Sequence, residues 1–227
     1  MDTQEAWVIN INRIGYEEAF DLQKRLVSAR ARDEVKDTFL LLEHNPVFTA
    51  NREATFQNIL APESVLEEAG IEVCKTDRGG DVTYHGPGQI TGYSIMDLKS
   101  QGRDLHLYIR NMEQMLIDTL ADYGIESGRD KQHPGVWVGN EKIAAIGIAV
   151  KTGWITMHGF ALNVHPDMNH YKYIIACGIV DKGVTNMQKI LGTDVCVREV
   201  KARLKQHYGT IYNREPHEIT RGDLPWS

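Results

Sequence analysis

Cysteine is scarce: the 227 residues hold three, Cys74, Cys177 and Cys196. None belongs to a CxxC pair or a zinc-finger spacing, so neither a disulfide framework nor a structural zinc site is expected, and a reducing cytoplasm fits best. Long apolar runs are missing too. Ile143 to Val150, the longest, is interrupted by Gly147 and falls far short of the roughly 20 residues that span a bilayer. The opening MDTQEAWVIN lacks the basic start and apolar run of an export signal, and no membrane association is expected. Basic charge is in deficit, 25 Lys and Arg against 31 Asp and Glu for a formal −6. That balance is wrong for neutralising a phosphate backbone, so nucleic acid is not an expected partner. The nine histidines include no HExxH or comparable ligand spacing, and no metal is expected.

What is present is an ordinary globular composition, 42% hydrophobic and 25% charged, in a length that suggests one domain over residues 1–227. Ala6 to Ile11 has strand character, and Tyr16, Ala19, Phe20, Leu26 and Val27 then recur at helical spacing. Thr38 to Leu42 and Val47 to Ala50 follow as strands around an Asn45-Pro46 turn. A short helix over Pro62 to Ala69 closes at Gly70, and Ile71 to Lys75 returns as a strand. Asp77 to Gln89 is too rich in glycine for regular structure and is expected to be a shaped loop. Ile90 to Met96 is a strand, and Asp104 caps an amphipathic helix carrying Leu105, Tyr108, Ile109, Met112, Leu116 and Leu120. Gly135 to Val138, Lys142 to Val150 and Trp154 to Val164 form an antiparallel meander, with a further strand at Tyr173 to Ala176. Helices near Thr185 to Leu191 and Cys196 to Tyr208 precede a patternless tail from Asn213 to Ser227. The expected architecture is an α+β fold around a mixed, largely antiparallel sheet.

Three places invite chemistry. In RGGDVTYHGPGQ, Arg78 to Gln89, paired glycines let a ligand approach the main chain, and Arg78, Tyr84, His85 and Gln89 stand among them. The segment matches neither GxGxxG nor the Walker pattern, so it is not a phosphate cradle by motif. Cys177, in YIIACGI, lies where a strand-like run meets Gly178, and by itself reads more readily as an inert buried thiol than as a nucleophile. Lys142 opens KIAAIGIAV, either as a solvated strand end or as a partly desolvated amine able to exchange protons near neutrality. His158 and His85 are further candidates to orient a thiol.

Taken together, RGGDVTYHGPGQ, GVWVGNEKIAAIG leading into TMHGFALNV, and IIACGI resemble the signatures of the octanoyltransferase family of protein lipoylation, in family order from Thr38 to Gly192. The resemblance implies the fold of lipoate and biotin protein ligase catalytic domains. It also implies transfer of an octanoyl group from octanoyl-acyl carrier protein to a lysine of lipoyl domains, those of 2-oxoacid dehydrogenase complexes and glycine cleavage H protein. No cofactor is implied. By position, Cys177 matches the family's acyl-thioester nucleophile and Lys142 the lysine paired with it. Substrate contacts fall on Arg78, Gly79, Gly80, Asp81, Val82, Thr83, Tyr84 and His85, on Ala145, Ile146 and Gly147, and on Gly159, Phe160 and Ala161. Ala176 replaces a common proline, Asn51 a usual glycine, and Phe160 a common leucine, where a larger side chain would shorten an acyl pocket.

The chemistry fits these residues. A thiol of pKa about 8.5 is only a few per cent thiolate at pH 7, a deficit of roughly 2 kcal/mol that an adjacent ammonium would remove. Exchanging one thioester for another needs no ATP. Backbone N–H groups near Gly178 and in the RGG loop are the expected oxyanion donors. Lys75, Arg78, Lys151, Lys172 and Lys182 are the expected docking cations for acidic partners. The competing readings are an ATP-dependent lipoate or biotin ligase and a non-catalytic acyl- or protein-binding module.

Overall fold

The computed structural model describes residues 3–51, 56–179 and 181–226. In chain order its elements are β1 (Gln4–Asn10), α1 (Tyr16–Ala31), β2 (Asp37–Leu42), β3 (Val47–Ala50), α2 (Glu63–Glu68), β4 (Glu72–Lys75), β5 (Thr83–His85) and β6 (Gln89–Ile95). There follow α3 (Leu105–Ala121), β7 (Gly128–Arg129), β8 (Val136–Val138), β9 (Glu141–Lys151), β10 (Ile155–Asn163), β11 (Gly183–Val184), α4 (Met187–Leu191), α5 (Val197–Tyr212) and β12 (Arg214–Ile219). The main sheet runs β12-β1-β2-β6-β10-β9-β8-β7, with β11 also paired to β9. β12, β1 and β2 are parallel, and every step from β2 to β7 is antiparallel. A smaller sheet, β4-β3-β5, shares no ladder with it.

Period-2 alternation in continuous apolar strands builds two cores. In β2, Phe39 and Leu41 face α3 and α5, while Leu40 and Leu42 face α1. Helix α1 offers Ala19, Leu22, Leu26 and Ala29 on one stripe, and α3 offers Tyr108, Met112, Met115 and Leu116. Truncating any of the buried leucines of β2 to alanine would cost about 2–5 kcal/mol. Asp104 caps α3 as its sequence suggests, its Oδ1 accepting from Leu107 N–H at 2.9 Å. Among the described residues no helix is long and apolar enough to cross a membrane.

Three expectations need correction. The tail is not patternless: Arg214–Ile219 adds a parallel edge strand to β1. It escapes notice because its one buried residue is Arg214, whose guanidinium meets Asp37 at 2.8 Å beneath the sheet, and because Pro216 is tolerable only at an edge. Tyr173 to Ala176 is not a strand. The chain there is a 3₁₀ turn over Met168–Tyr173, one bridge at Ile174, and a second turn at Ala176–Gly178. Third, Asp77 to Gln89 is not wholly irregular, since Thr83–His85 pairs with β3 and Gln89 opens β6. That ladder gives Val82 and Tyr84 a small core of their own with Phe48, Leu66 and Ile71.

Candidate active site

The site forms where the smaller sheet meets the main one. Arg78 and Gly79 cross β9 at Gly147, where an added Cβ would stand 2.9 Å from Gly79 O and 3.0 Å from Arg78 Cδ. The loop is fixed there by Gly79 N–H donating to Ile148 O at 3.0 Å. Past Asp81 the strand period takes over. Thr83 and His85 line the cleft, whereas Val82 and Tyr84 turn into the small core, so those two of the expected contacts do not reach it. Gly86 accommodates Tyr84, whose hydroxyl would lie 2.0 Å from a Cβ at that position.

Cys177 occupies a left-handed conformation, φ 57 and ψ 17, rare for a residue with a side chain. Its N–H donates to Val82 O at 2.9 Å and that of Gly178 to Ile175 O at 3.0 Å, which removes both from the expected oxyanion donors. The N–H groups of Gly80 and Asp81 have no hydrogen-bond partner among the described residues and remain available. Gly178 packs on Asp81, whose Oδ2 accepts from Asn58 Nδ2 at 2.9 Å. The thiol is half-buried, whereas Cys74 is buried, which pushes its pKa up, and Cys196 lies exposed before α5.

Lys142 enters from β9 and is 8% exposed, so it is not the solvated strand end that its sequence position also allowed. It lines a cleft of about 280 Å³ with Cys177, Arg78, Gly79, Gly80, Asp81, Thr83, His85, Ala145, Ile146, Gly147, Gly159, Phe160 and Ala161. A smaller recess continues from Lys142 and Cys177 toward Trp137, Tyr171 and Lys182. Phe160 is accommodated by Gly92, where an added Cβ would fall 2.3 Å from its ring. The ring tilts against Phe39 at 6.2 Å, so part of its bulk goes into the core rather than the cleft.

The cleft wall is mostly apolar, with a few buried polar groups set into it. Arg78 is buried without a carboxylate in ion-pair contact among the described residues. Nη2 donates to Thr49 O at 2.7 Å and to Thr49 Oγ1 at 3.0 Å, and Nε has no partner among the described residues. Burial pulls its pKa below the ordinary arginine value, partly offset by Tyr16 and Cys177. A positive φ of 66 at His158 swings its ring onto Phe20 of α1, with Nε2 2.7 Å from Asp77 Oδ1. Burial holds His158 at about 4 and His85 well below the usual histidine range, so both are neutral at pH 7. Arg78 Nε, Thr91 Oγ1 and His158 Nδ1 are buried without partners among the described residues, each a cost of about 1–3 kcal/mol that a polar group bound there would relieve. Among the described residues no cluster of three or more His, Cys, Asp or Glu is placed to hold a metal ion.

Sequence reasoning missed Thr91 and Tyr93 of β6 and Tyr16 of α1, and it placed Leu105 and Ile109 on an amphipathic helix without indicating that both also line the cleft. Position gave one usable signal, since GQITGY follows directly on the glycine-rich loop. Of the expected docking cations, Arg78 is buried, Lys151 pairs with Asp77 and Lys182 with Asp130, leaving Lys75 and Lys172 exposed without ion pairs among the described residues.

Residues 15–209 match the family described as "Lipoyl protein ligase A/B catalytic domain", and the chain belongs to that family. Its fold is that of a lipoate-protein ligase A solved with ATP bound (TM-score 0.74, 15% identity, covering 99% of this chain and 91% of that one). It is similar also to the biotin protein ligase of Aquifex aeolicus (TM-score 0.52, 14% identity, 90% and 68% covered). Within the family, the octanoyltransferase of Caldicellulosiruptor saccharolyticus is 46% identical over 219 residues, 96% of this chain and 93% of that protein. The chain is an acyltransferase acting in lipoyl or octanoyl transfer.

Proposed function

We propose that the protein moves an octanoyl group from octanoyl-acyl carrier protein onto a lysine of lipoyl domains through a thioester on Cys177, the first step of endogenous lipoylation. The supporting observation is that Cys177 and Lys142, from separate elements, line one cleft beside a glycine-rich loop with two N–H groups unpartnered among the described residues. The Cys177 thiolate attacks the carrier thioester, the carbonyl–sulfur bond to the carrier breaks, and the departing thiolate takes a proton from the Lys142 ammonium. The neutral Lys142 amine then takes a proton from the ammonium of a lipoyl-domain lysine, and the freed amine attacks the Cys177 thioester. The carbon–Sγ bond breaks, the amide forms as its nitrogen loses a second proton to solvent, and thiolate and ammonium are restored. Gly80 and Asp81 N–H are the donors proposed for the oxyanion. The acyl chain has Ile146, Phe160 and Ala161 for lining, and six methylenes at about 0.8 kcal/mol each supply roughly 5 kcal/mol.

Intact mass after mixing with octanoyl carrier tests this. An octanoyl adduct on Cys177 that discharges to a lipoyl domain is the expected result. No adduct, together with ATP–pyrophosphate exchange in the presence of free acid, would establish a ligase instead. Binding of carrier without either would leave a non-catalytic module.

A further inference from the structure

Lys142 is nearly buried, yet its Nζ forms no ion pair or hydrogen bond among the described residues. Its ammonium lies over the face of Trp137, 4.8 Å from the ring centroid. The same ring carries a second cation, Lys182, 4.6 Å from the centroid and itself paired with Asp130.

The hairpin creates this arrangement. Its two-residue turn at Gly139-Asn140 sets Val138 opposite Glu141 and Trp137 opposite Lys142, so indole and lysine are cross-strand partners. The ladder shifts just beyond the pair, where Ile143 is skipped and Val136 faces Ala144. Gly135, at φ 126, lets the chain leading into β8 pass close over β9, since a Cβ there would sit 2.5 Å from Ala144 O, beside the Lys142 stem. The indole is held in turn by its Nε1–H donating to His133 O at 3.2 Å. Asp130 Oδ1 fixes that segment by accepting from the N–H groups of Gln132 and His133 at 2.9 and 3.0 Å.

A carboxylate in place of the ring would hold the lysine proton firmly, whereas an aromatic face attracts and orders the cation while offering nothing to take the proton. We infer that Trp137 is a positioning residue that holds Lys142 at the cleft in place of a counter-ion and, through Lys182, couples it to the segment following Cys177. This rests on reading Cys177 and Lys142 as the reacting pair.

Fluorinated tryptophans placed at position 137 alone weaken the ring's attraction for cations stepwise with little change of shape. Discharge of the octanoyl-enzyme to a lipoyl domain is expected to slow with each added fluorine, by about 2- to 30-fold across the series, at constant acceptor KM and melting temperature. Trp137→Phe should keep more of the rate than Trp137→Leu. In the NMR spectrum of the unmodified chain the Lys142 Hε protons should lie upfield, and return to ordinary positions in Trp137→Leu. A flat or rising series, or lysine protons without an upfield shift, would overturn the role of Trp137 even when Cys177 forms its adduct. Absence of any adduct in the unmodified chain would sink the reading of the site and this role with it.

Discussion

The N–H of Cys177 donates to the carbonyl oxygen of Val82 at 2.9 Å, fastening the turn that carries the thiol to the glycine-rich loop through main chain alone. Such a bond survives replacement of the side chain. Cys177→Ser should therefore keep the native melting temperature within a few degrees while losing the acyl adduct and overall transfer. Cys74→Ser and Cys196→Ser, at a buried and an exposed thiol away from the cleft lining, should form the adduct as the native chain does. Mass spectrometry of the three variants with octanoyl carrier separates these outcomes, and an adduct on Cys74 or Cys196 would refute the assignment.

Gly147 matters for the same loop. An alanine Cβ there would press on Gly79 O at 2.9 Å and Arg78 Cδ at 3.0 Å, and the loop must lift to admit it. Gly147→Ala should lower kcat/KM by tenfold or more, for a stability loss of about 1–3 kcal/mol. Steady-state transfer assays beside urea unfolding would show both, and native activity would mean that the loop moves without consequence.

Much of this arrangement is legible in sequence, and the exceptions have physical causes. The strands β2, β6 and β10 read correctly because every position in them is buried, which favours the apolar run FLLL in β2 and the aromatic, β-branched and small residues of β6 and β10. The strand expected before Cys177 fails because YIIA is apolar for another reason, packing Tyr173, Ile174 and Ala176 against the small core from a turn. β12 is invisible because pairing and one buried ion pair hold it, and neither leaves a periodic mark. Arg78, Lys142 and Cys177 could be named from the segments that contain them. That Trp137 would face Lys142 follows from a two-residue turn at Gly139-Asn140 in GVWVGNEK, but the Trp137 ring lying under the lysine ammonium depends on side-chain conformations that no pattern records.

Phe160 bears on chain length. Its ring is shared between cleft and core, seated over Gly92 and tilted on Phe39, so Phe160→Leu should open space on both sides. The expected cost is about 1–3 kcal/mol of stability. In return, kcat/KM for decanoyl relative to octanoyl carrier should rise, by the 10- to 200-fold scale that one methylene spans in an apolar pocket at most. Competition between the two carriers measures the ratio directly, and an unchanged ratio would place Phe160 outside the acyl path.

Acid should destabilise the fold through its buried histidines. His44 and His158 are held at about 4 and His85 well below its ordinary value, chiefly by burial, against about 6.5 in an unfolded chain. Between those values the unfolded chain binds protons that the folded one refuses. Stability is therefore complete above about pH 6.5 and lost as pH falls toward 4, by up to about 1.4 kcal/mol per pH unit for each histidine. Urea midpoints at pH 7, 6 and 5 should decline, and less steeply in His44→Gln. A level curve over that range would mean that the histidines are protonated in the folded protein.

The two half-reactions should depend on Lys142 unequally. Forming thiolate from an ordinary thiol costs roughly 2 kcal/mol at pH 7, and freeing an ordinary lysine of its proton costs roughly 4 to 5 kcal/mol. Removing the group that serves both steps should thus harm amide formation more than acylation. In Lys142→Ala, octanoyl-Cys177 should form slowly and then accumulate, because its discharge to a lipoyl domain is slower still. Raising the pH should restore acylation first, since the thiol ionises about two pH units below the acceptor amine. Single-turnover mass spectrometry from pH 7 to 9.5, with and without acceptor, follows both species. Accumulation of acyl-enzyme that clears only at the alkaline end is the expected course. Equal slowing of the two steps at every pH would keep Cys177 as nucleophile but remove Lys142 from the deprotonation of the acceptor.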